Sequence, residues 1–315
     1  MNKKKVLISG VGGSLFPYLI NLLKDKYDLF LIDSNKIIKK IYPKNNVFIV
    51  PMVKNNTYEK VVEDIIDQNN IEYYIPLIDE ELPKALNIAN YNSHLKIISP
   101  NKYFVNICLN KYLLMKELSK NKISKVETYK GTDFNPNFKF PIFVKPIVGR
   151  GSRGICKIEN IMKYKAYFNL ENYDAKEIMV QEYLDGEEYS VSVVVNNLNR
   201  LIAVVPKRII FKRGVTQHAV TENNENIKSV CENIVDIFKP CGPFNVQLKI
   251  VKGKIKIFEI NPRFSTTSIL TCEASINEFE LCIEAYDKHD ISYINDFKEN
   301  LYLYRRWESL FYEIK

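Results

Sequence analysis

A loop rich in glycine and arginine follows a short apolar run that ends in Lys145. Its polar and glycine positions are Gly149, Arg150, Gly151, Ser152, Arg153 and Gly154. Glycine adopts positive φ and lets backbone N–H groups approach a ligand, and a nest of such groups suits phosphate oxygens. Lysine and arginine add full charges, and arginine binds an oxyanion with two parallel hydrogen bonds. The loop predicts a phosphate site, and a solvated surface hairpin is the alternative.

Three side chains that offer oxygen ligands fall on two neighbouring predicted strands. Residues 242–251 and 256–260 read as a hairpin, which places Gln247 on one strand and Glu259 and Asn261 on the other. Glu259 and Asn261 are two residues apart and therefore share one face of the sheet. Mg²⁺ typically takes one or two carboxylates and completes its shell with phosphate and water. The pattern predicts a hard-cation site, with an exposed polar sheet edge as the alternative.

An acidic run, Asp79, Glu80 and Glu81, follows the predicted strand 73–78. Open α/β sheets bind ligands just beyond the carboxyl ends of their strands, so these acids would line a cleft. An acidic wall would favour an ammonium group, which suggests an amino acid or an amino sugar as substrate. In the alternative interpretation the acids stabilise the N-terminus of the next helix.

A basic cluster lies between the two proposed sites. Lys207, Arg208, Lys212 and Arg213 fall within seven residues, and His218 follows. Beside a phosphate site they would attract anions, and Arg208, Arg213 and His218 are candidates to bind a substrate carboxylate. A plain solvated face is the alternative.

Residues 1–100 alternate short apolar runs with helical patterns, which predicts one doubly wound domain with a parallel sheet. A strand, the turn Gly10-Val-Gly-Gly-Ser14, a helix and a second strand ending at Asp33 resemble a Rossmann βαβ unit. The turn lacks the complete G-x-G-x-x-G spacing, so we do not read it as a dinucleotide site. It is expected to be structural or to touch a small substrate.

The remainder of the chain carries the charged motifs on predicted strands and helices. Residues 101–120 have a helical pattern that includes Lys111, residues 131–137 read as a linker, and residues 228–238 read as a helix. Further predicted strands cover 140–145, 178–183, 189–195 and 201–206. No role is evident for residues 302–315, beyond a final strand or helix or a dimer contact.

The composition is that of a globular protein. The formal charge of +8 comes from 45 Lys and Arg against 37 Asp and Glu, which suits anionic ligands and is too mild to indicate nucleic acid. The six cysteines form no C-x-x-C pair, so we expect reduced thiols in a cytoplasmic protein rather than a zinc site. No apolar run approaches the ~20 residues of a membrane span.

The motifs, taken together and in order, resemble the ATP-grasp superfamily, and in particular its carbamoyl-phosphate-synthase-like, carboxylate–amine ligase branch. They are strand-Lys-Pro with a glycine loop, Gln-Glu-Tyr-Leu-Asp-Gly-Glu-Glu, Asn-Val-Gln, and Glu-Ile-Asn-Pro-Arg-Phe-Ser. The resemblance covers residues 101 to about 275. It implies a Rossmann-like domain at 1–100 and a two-lobed ATP-grasp domain at 101–315, that is, an α/β and α+β fold. A lid subdomain would span about 125–185 and a metal-binding subdomain about 186–315.

The resemblance also implies a role for each matching residue. Lys145 and Lys111 would bind the phosphates, with residues 149–154 as the lid over them. Glu182 and Leu184 would contact adenine, and Glu188 the ribose hydroxyls. Glu259, Asn261 and Gln247 would bind two Mg²⁺ ions, for which Mn²⁺ is a substitute. Arg263 would stabilise the transferred phosphoryl group, and Arg153 belongs to the same set. Relatives with a carboxylate at position 247 differ from this chain, so one metal would bind more weakly.

The implied activity is that of an ATP-dependent ligase, which activates a carboxylate as an acyl phosphate for attack by an amine. The expected substrates are small molecules, and a homodimer is one expected assembly. Two enzyme classes remain as alternatives: a small-molecule kinase, and a carbamate- or carbamoyl-phosphate-forming enzyme. A nucleotide-binding module without catalysis is a third. Phosphoryl transfer needs positioning and cations on the equatorial oxygens more than covalent help from the protein, which this set of residues supplies.

Overall fold

The computed structural model describes residues 3–43, 45–134, 139–149, 151, 153–288, 291–306, 309 and 311. Within these residues no helix is long and apolar enough to cross a membrane. Three sheets organise the chain, and they follow one another along the sequence.

The first sheet is parallel, with strand order β3-β2-β1-β4-β5. Its strands are β1 (Lys4–Ser9), β2 (Tyr27–Asp33), β3 (Asn46–Ile49), β4 (Tyr73–Ile75) and β5 (Lys96–Ile97). Its helices are α1 (Phe16–Leu23), α2 (Ile38–Ile41), α3 (Tyr58–Asn69) and α4 (Leu82–Tyr91). The parallel order agrees with the predicted doubly wound arrangement, although β4 ends three residues earlier than expected.

Two helices connect the first sheet to the rest: α5 (Lys102–Leu109) and α6 (Lys111–Lys120). The helical pattern predicted over 101–120 is present, and the structure divides it into two helices at Asn110. Asn110 leaves the helical conformation with φ −102° and ψ 96°, and its side chain accepts a hydrogen bond from the Leu113 N–H. An asparagine cap satisfies an N–H group that a helix start leaves unpaired, so the break places Lys111 in the first turn of α6.

The second sheet is antiparallel, with order β6-β9-β7-β8. It comprises β6 (Thr128–Lys130), β7 (Ile142–Pro146), β8 (Cys156–Ile158) and β9 (Ile178–Glu182), together with α7 (Ile161–Glu171). A small core of its own includes Ile142, Val144, Ile158 and Val180. The expected linker at 131–137 begins with a short 3₁₀ turn, Gly131–Asp133, and residues 135–138 lie outside the described residues.

The third sheet is larger, with order β14-β13-β10-β11-β12-β15. Its strands are β10 (Glu187–Val195), β11 (Leu201–Arg213), β12 (Val215–Thr221), β13 (Gly242–Val251), β14 (Lys254–Asn261) and β15 (Tyr302–Tyr304). Helices α8 (Glu225–Phe238), α9 (Ser268–Glu273) and α10 (Glu278–Asp287) complete it. The strand β11 runs to Arg213, seven residues beyond its predicted end, because it pairs with the unpredicted strand β12.

One hydrophobic core joins the first and third sheets. Val6 and Ile8 of β1 belong to the same buried cluster as Ile202 of β11, Phe264 and Phe279. Burial of apolar side chains in a shared core holds the two sheets in a fixed relation. The carboxyl ends of β1 and β2 are therefore held beside the third sheet, which matters for the cavity described next.

Candidate active site

A cavity of about 740 Å³ lies where the three sheets meet. Its lining comes from the turn after β1, the end of β7, the first turn of α6 and one face of the third sheet. Two parts of the lining differ in chemistry. We call the first the charged wall, which comprises Lys111, Lys145, Glu188, Lys212 and Glu259, and the second the glycine wall, which comprises Gly10, Gly12, Gly13, Ser14, Thr216, Ser265 and Thr266.

Lys145 is the most buried member of the charged wall. It is the penultimate residue of β7 and is 2% exposed. Its Nζ donates a hydrogen bond of 2.8 Å to the carbonyl of Phe258 on β14. Burial lowers the pKa of Lys145 to about 8, although the Glu259 carboxylate raises it in part and the neighbouring Lys111 and Lys212 lower it further. Lys145 thus brings the second sheet directly against the strand that carries the predicted metal ligands.

Lys111 links the glycine loop to the same strand. Its Nζ donates to the carbonyl of Gly149 at 2.5 Å and lies 3.4 Å from a carboxylate oxygen of Glu259. The side chains of both members of this ion pair are shielded from solvent, at 8% and 18% exposure. The structure therefore brings together Lys111, Lys145 and Glu259, to which the resemblance assigns phosphate and metal binding.

Amide side chains surround Glu259 on the sheet face. Gln247 pairs with Glu259 across β13 and β14, and Asn245 pairs with Asn261. All four line the cavity. Ser190 Oγ donates to Asn245 Oδ1 at 2.8 Å, and Asn245 Nδ2 is buried with no hydrogen-bond partner among the described residues. Sequence reasoning missed Asn245, although its two-residue spacing from Gln247 is the signal that places it on this face.

These ligands fit a Mg²⁺ ion that is held in part by phosphate. The described residues contain no cluster of three or more His, Cys, Asp or Glu side chains that would bind a metal by themselves. One carboxylate, from Glu259, and the amide oxygens of Asn261 and Gln247 are hard ligands, too few and too weakly charged for an independent site. Mg²⁺ in phosphoryl-transfer enzymes uses this kind of incomplete set and takes its other ligands from phosphate and water.

The glycine loop contributes unevenly to the cavity. Gly149, Gly151 and Arg153 line it. Gly154 does not, and its conformation has a packing reason: φ is 64° and an added Cβ would lie 2.5 Å from the Tyr173 ring. The predicted ligands Arg150 and Ser152 fall outside the described residues.

Glu188 and Lys212 form an ion pair at the rim of the cavity, with 3.1 Å between Lys212 Nζ and Glu188 Oε1. Both side chains are partly exposed, at 24% for Glu188 and 32% for Lys212. Such a pair contributes little stability, so either group is available to a ligand. Lys212 was only one member of a basic cluster in the sequence.

Arg263 lines the cavity while a carboxylate from the first sheet binds it. Its Nε and Nη2 donate to the two oxygens of Asp79 at 2.6 and 3.0 Å, and its Nη1 donates to the carbonyl of Phe264. Burial opposes the charge, but the paired carboxylate outweighs it and raises the pKa of Arg263. Fork geometry of this kind fixes the orientation of a guanidinium.

The expected acidic wall is wrong for two of its three residues. Both carboxylate oxygens of Asp79 accept hydrogen bonds from Arg263. Glu81 is 1% exposed and accepts hydrogen bonds from the hydroxyls of Ser9 and Tyr58. Burial raises the pKa of Glu81. The 3₁₀ turn Asp79–Glu81 leads directly into α4, so neither acid is presented to a substrate ammonium group.

The basic cluster is also divided by the structure. Lys207 is fully buried and donates to Ser192 and Thr271, so the solvated-face interpretation is wrong for it. Arg208 pairs with Glu222 at 2.9 Å, and His218 lies against the rings of Tyr302 and Tyr304. Neither they nor Arg213 lines the cavity, so the structure does not place these three candidates where a substrate carboxylate would bind.

Glu182 and Leu184, predicted to contact adenine, lie outside the cavity lining. Lys256 pairs with Glu182 at 3.0 Å, and Lys249 donates to the Leu184 carbonyl at 3.1 Å. The structure thus brings together the predicted phosphate and metal residues but not the predicted adenine contacts.

Comparisons with known proteins place this geometry in context. Residues 174–304 match a family model described as "ATP-grasp in the biosynthetic pathway with Ter operon". D-alanine–D-alanine ligase of Petrotoga mobilis is 24% identical over 228 residues, which are 65% of this chain and 73% of that protein. Tyramine–L-glutamate ligase of Methanocaldococcus jannaschii is 26% identical over 274 residues, which are 78% of each chain.

Solved structures share the fold at low sequence identity. N5-carboxyaminoimidazole synthetase of Staphylococcus aureus, complexed with ADP, superposes with a TM-score of 0.73 at 15% identity and covers 90% of this chain and 78% of that one. L-amino acid ligase of Bacillus licheniformis gives 0.68 at 14% identity, with 90% and 73% covered. The predicted fold class is confirmed.

Proposed function

We propose that this chain is an ATP-grasp protein of the carboxylate–amine ligase branch, and that it uses ATP to join a small carboxylic acid to an amine, releasing ADP and phosphate. We further propose that residues 101–315 form the ATP-grasp unit, with about 125–185 as its lid. The relatives named above that are ligases for amino acids or amines support this reaction class.

One observation carries the proposal: Lys145, Lys111 and Glu259 converge on the cavity from three different elements. Lys145 comes from β7, Lys111 from α6 and Glu259 from β14. Lys111 pairs with Glu259, and Lys145 donates to the carbonyl of the residue before Glu259. Two buried ammonium groups beside one carboxylate leave a net positive charge in the cavity. A polyphosphate with a bound divalent cation would complement this arrangement of charges.

The residues divide the work of binding as follows. Lys145 and Lys111 would hold phosphate oxygens of ATP, and Arg153 with the backbone of Gly149 and Gly151 would cover them. Glu259, Asn261 and Gln247 would hold Mg²⁺, whose chemistry is to neutralise charge on the phosphates and polarise the transferred phosphoryl group. Glu188 would bind the ribose. Lys212 would then move away from the Glu188 carboxylate and toward the phosphates.

The proposed reaction has two steps. A substrate carboxylate oxygen attacks the γ-phosphorus, a new O–P bond forms, and the bond to the β-phosphate oxygen breaks to release ADP. The amine nitrogen then attacks the acyl carbon, phosphate departs with the C–O bond electrons, and the amine loses a proton. Arg263, oriented by Asp79, would stabilise the negative oxygens of the phosphoryl group in both steps. The glycine loop would exclude water, because acyl phosphates hydrolyse.

Substrate panels test the reaction class. Purified protein with MgATP is given amino acids and other small acids, alone and in pairs with amines, and ADP release is measured. ADP release that requires both an acid and an amine supports the ligase, and transfer of ¹⁸O from labelled carboxylate to phosphate demonstrates the acyl phosphate. A stable phosphorylated acid without amide indicates a kinase. Nucleotide binding without turnover across the panel contradicts the proposal.

A further inference from the structure

Arg305 stands at the end of the last described strand, in a segment for which the sequence indicated no role. Strand β15 pairs with β12, with His218 opposite Tyr304, and extends the third sheet by one strand. The Arg305 N–H continues this pairing with a 2.9 Å hydrogen bond to the carbonyl of Gln217. The backbone of Arg305 is therefore fixed beside β12.

The guanidinium of Arg305 contacts three backbone carbonyls from three separate segments. Its Nε donates to Thr216 at 3.0 Å, its Nη1 to Ser14 at 3.4 Å, and its Nη2 to Thr266. Thr216 is on β12, Ser14 follows the glycine turn of the first sheet, and Thr266 lies in the loop between β14 and α9. All three accepting residues line the cavity, and all belong to the glycine wall.

We propose that Arg305 is a positioning residue that holds the glycine wall in shape for the acceptor substrate. It is not itself part of the cavity lining, so it acts through the three segments whose carbonyls it binds. An arginine is needed because a planar guanidinium presents donors in several fixed directions, whereas a lysine ammonium on a flexible stem is a single point of contact. The last strand would thus complete the site.

The proposal has a reason in the packing of the molecule. Ser14 lies in the loop after β1 of the first sheet, whereas Thr216 is on β12 and Thr266 in the loop after β14 of the third sheet. The glycine wall is therefore assembled from segments of two sheets. Loops that are joined by few contacts open locally at low free energy. A single side chain that bonds one carbonyl in each segment opposes that opening, since a hydrogen bond to a charged donor is stronger than a neutral one.

This inference rests on the proposed function only in assigning the glycine wall to an acceptor substrate. The effect of Arg305 on the three loop segments can be measured without turnover. Hydrogen–deuterium exchange is followed by mass spectrometry for the complete chain with MgADP as the probe. The variants are Arg305→Gln and Arg305→Lys. The control is Arg306→Gln, because Arg306 is the next residue and is exposed. MgADP affinity is measured on each variant by calorimetry.

In Arg305→Gln we expect exchange to rise by about tenfold or more in peptides covering residues 10–15 and 264–267, because local opening becomes easier there. Peptides covering β7 should keep wild-type exchange, and the dissociation constant of MgADP should stay within about twofold. Arg305→Lys should fall between the two, and Arg306→Gln should match wild type. For any acid and amine pair found by the substrate panel, the KM of the pair should rise more than the KM of ATP.

Unchanged exchange at both glycine-wall peptides in Arg305→Gln would overturn the proposal. So would an equal rise in β7, which would show that Arg305 supports only overall stability. Absence of turnover in wild type would count against the proposed ligase function and would leave the exchange result decisive for Arg305.

Discussion

The charged wall and the glycine wall line one cavity but are built in different ways. In the charged wall, Lys111, Lys145 and Glu259 are shielded side chains that contact one another or nearby carbonyls. In the glycine wall the surface is largely backbone and hydroxyl groups, and the side chain that joins its segments, Arg305, lies behind it. One wall is defined by residue types and the other by the path of the backbone.

This difference explains why the residues indicate the reaction class but not the identity of the acid and the amine. Charged groups at fixed positions suit a ligand of fixed chemistry, and a magnesium–triphosphate is one. A wall of backbone and hydroxyl groups is shaped by loop geometry, which differs greatly for similar sequences. The reaction class can therefore be argued from named residues, while the acid and the amine must be found by experiment.

The largest effect should come from Glu259→Gln, which removes the single carboxylate from the predicted metal ligands. Turnover should fall about 1,000-fold or more, because the amide holds Mg²⁺ weakly and leaves charge on the phosphates uncompensated. Steady-state ADP release measures this, with circular dichroism as a check on folding. Glu187→Gln, an exposed change on β10 of the same sheet, is the control and should retain full rate. Wild-type turnover in Glu259→Gln would remove the metal assignment.

Lys145→Met should weaken MgADP binding about 100-fold, since it removes a buried, hydrogen-bonded charge at the phosphates while keeping an apolar stem. Calorimetric titration gives the dissociation constant. Lys5→Met is matched to it, because Lys5 also donates to a backbone carbonyl, that of Asn69, but lies in the first sheet away from the cavity. Equal affinity for MgADP in Lys145→Met and wild type would mean that the charged wall does not bind the nucleotide.

Asp79→Asn breaks the pair that orients Arg263. We expect the free energy of unfolding to fall by about 2 kcal/mol, because the guanidinium stays buried while the negative charge of its partner is lost. Urea unfolding at neutral pH measures it. Glu222→Gln breaks the more exposed pair with Arg208 and should cost less than about 1 kcal/mol. If both changes cost the same, Arg263 is not held by Asp79 in solution.

A smaller effect concerns the buried ammonium group of Lys207 on β11. Burial lowers the pKa of Lys207 to about 8, against which the nearby Glu278 carboxylate acts only in part. Between this value and the ordinary lysine pKa the unfolded chain binds more protons than the folded one, so Lys207 makes stability rise with pH. From pH 8 to pH 9.5 wild type should gain about 1.5 kcal/mol of unfolding free energy relative to Lys207→Met. A difference that stays flat or shrinks would contradict the lowered pKa.

Much of the fold could be predicted because its signals are local. The runs in β1 and β2 are buried and β-rich, and the glycine turn and amphipathic α3 between strands indicate a parallel sheet. The elements that were missed are short or depend on neighbours. Strand β12 is recognisable only through its pairing with the extended β11, and the break at Asn110 depends on a cap within an otherwise helical pattern.

The site divides in the same manner. Glu259, Asn261 and Gln247 could be placed on one face because strand periodicity is strict, and Asn245 follows from the same rule. Asp79 and Arg263 are 184 residues apart, so no local pattern shows that they pair. Arg305 acts through backbone carbonyls, for which the sequence carries no signal at all.

A crystal structure with MgADP would show directly whether the charged wall binds the phosphates and the magnesium ion of a nucleotide. We expect phosphate oxygens within hydrogen-bond distance of Lys145 and Lys111 Nζ, and a Mg²⁺ ion bound by Glu259 with the amide oxygens of Asn261 or Gln247. A nucleotide bound elsewhere, or bound in the cavity with its phosphates remote from Lys145 and Glu259, would contradict the proposed phosphate and magnesium site.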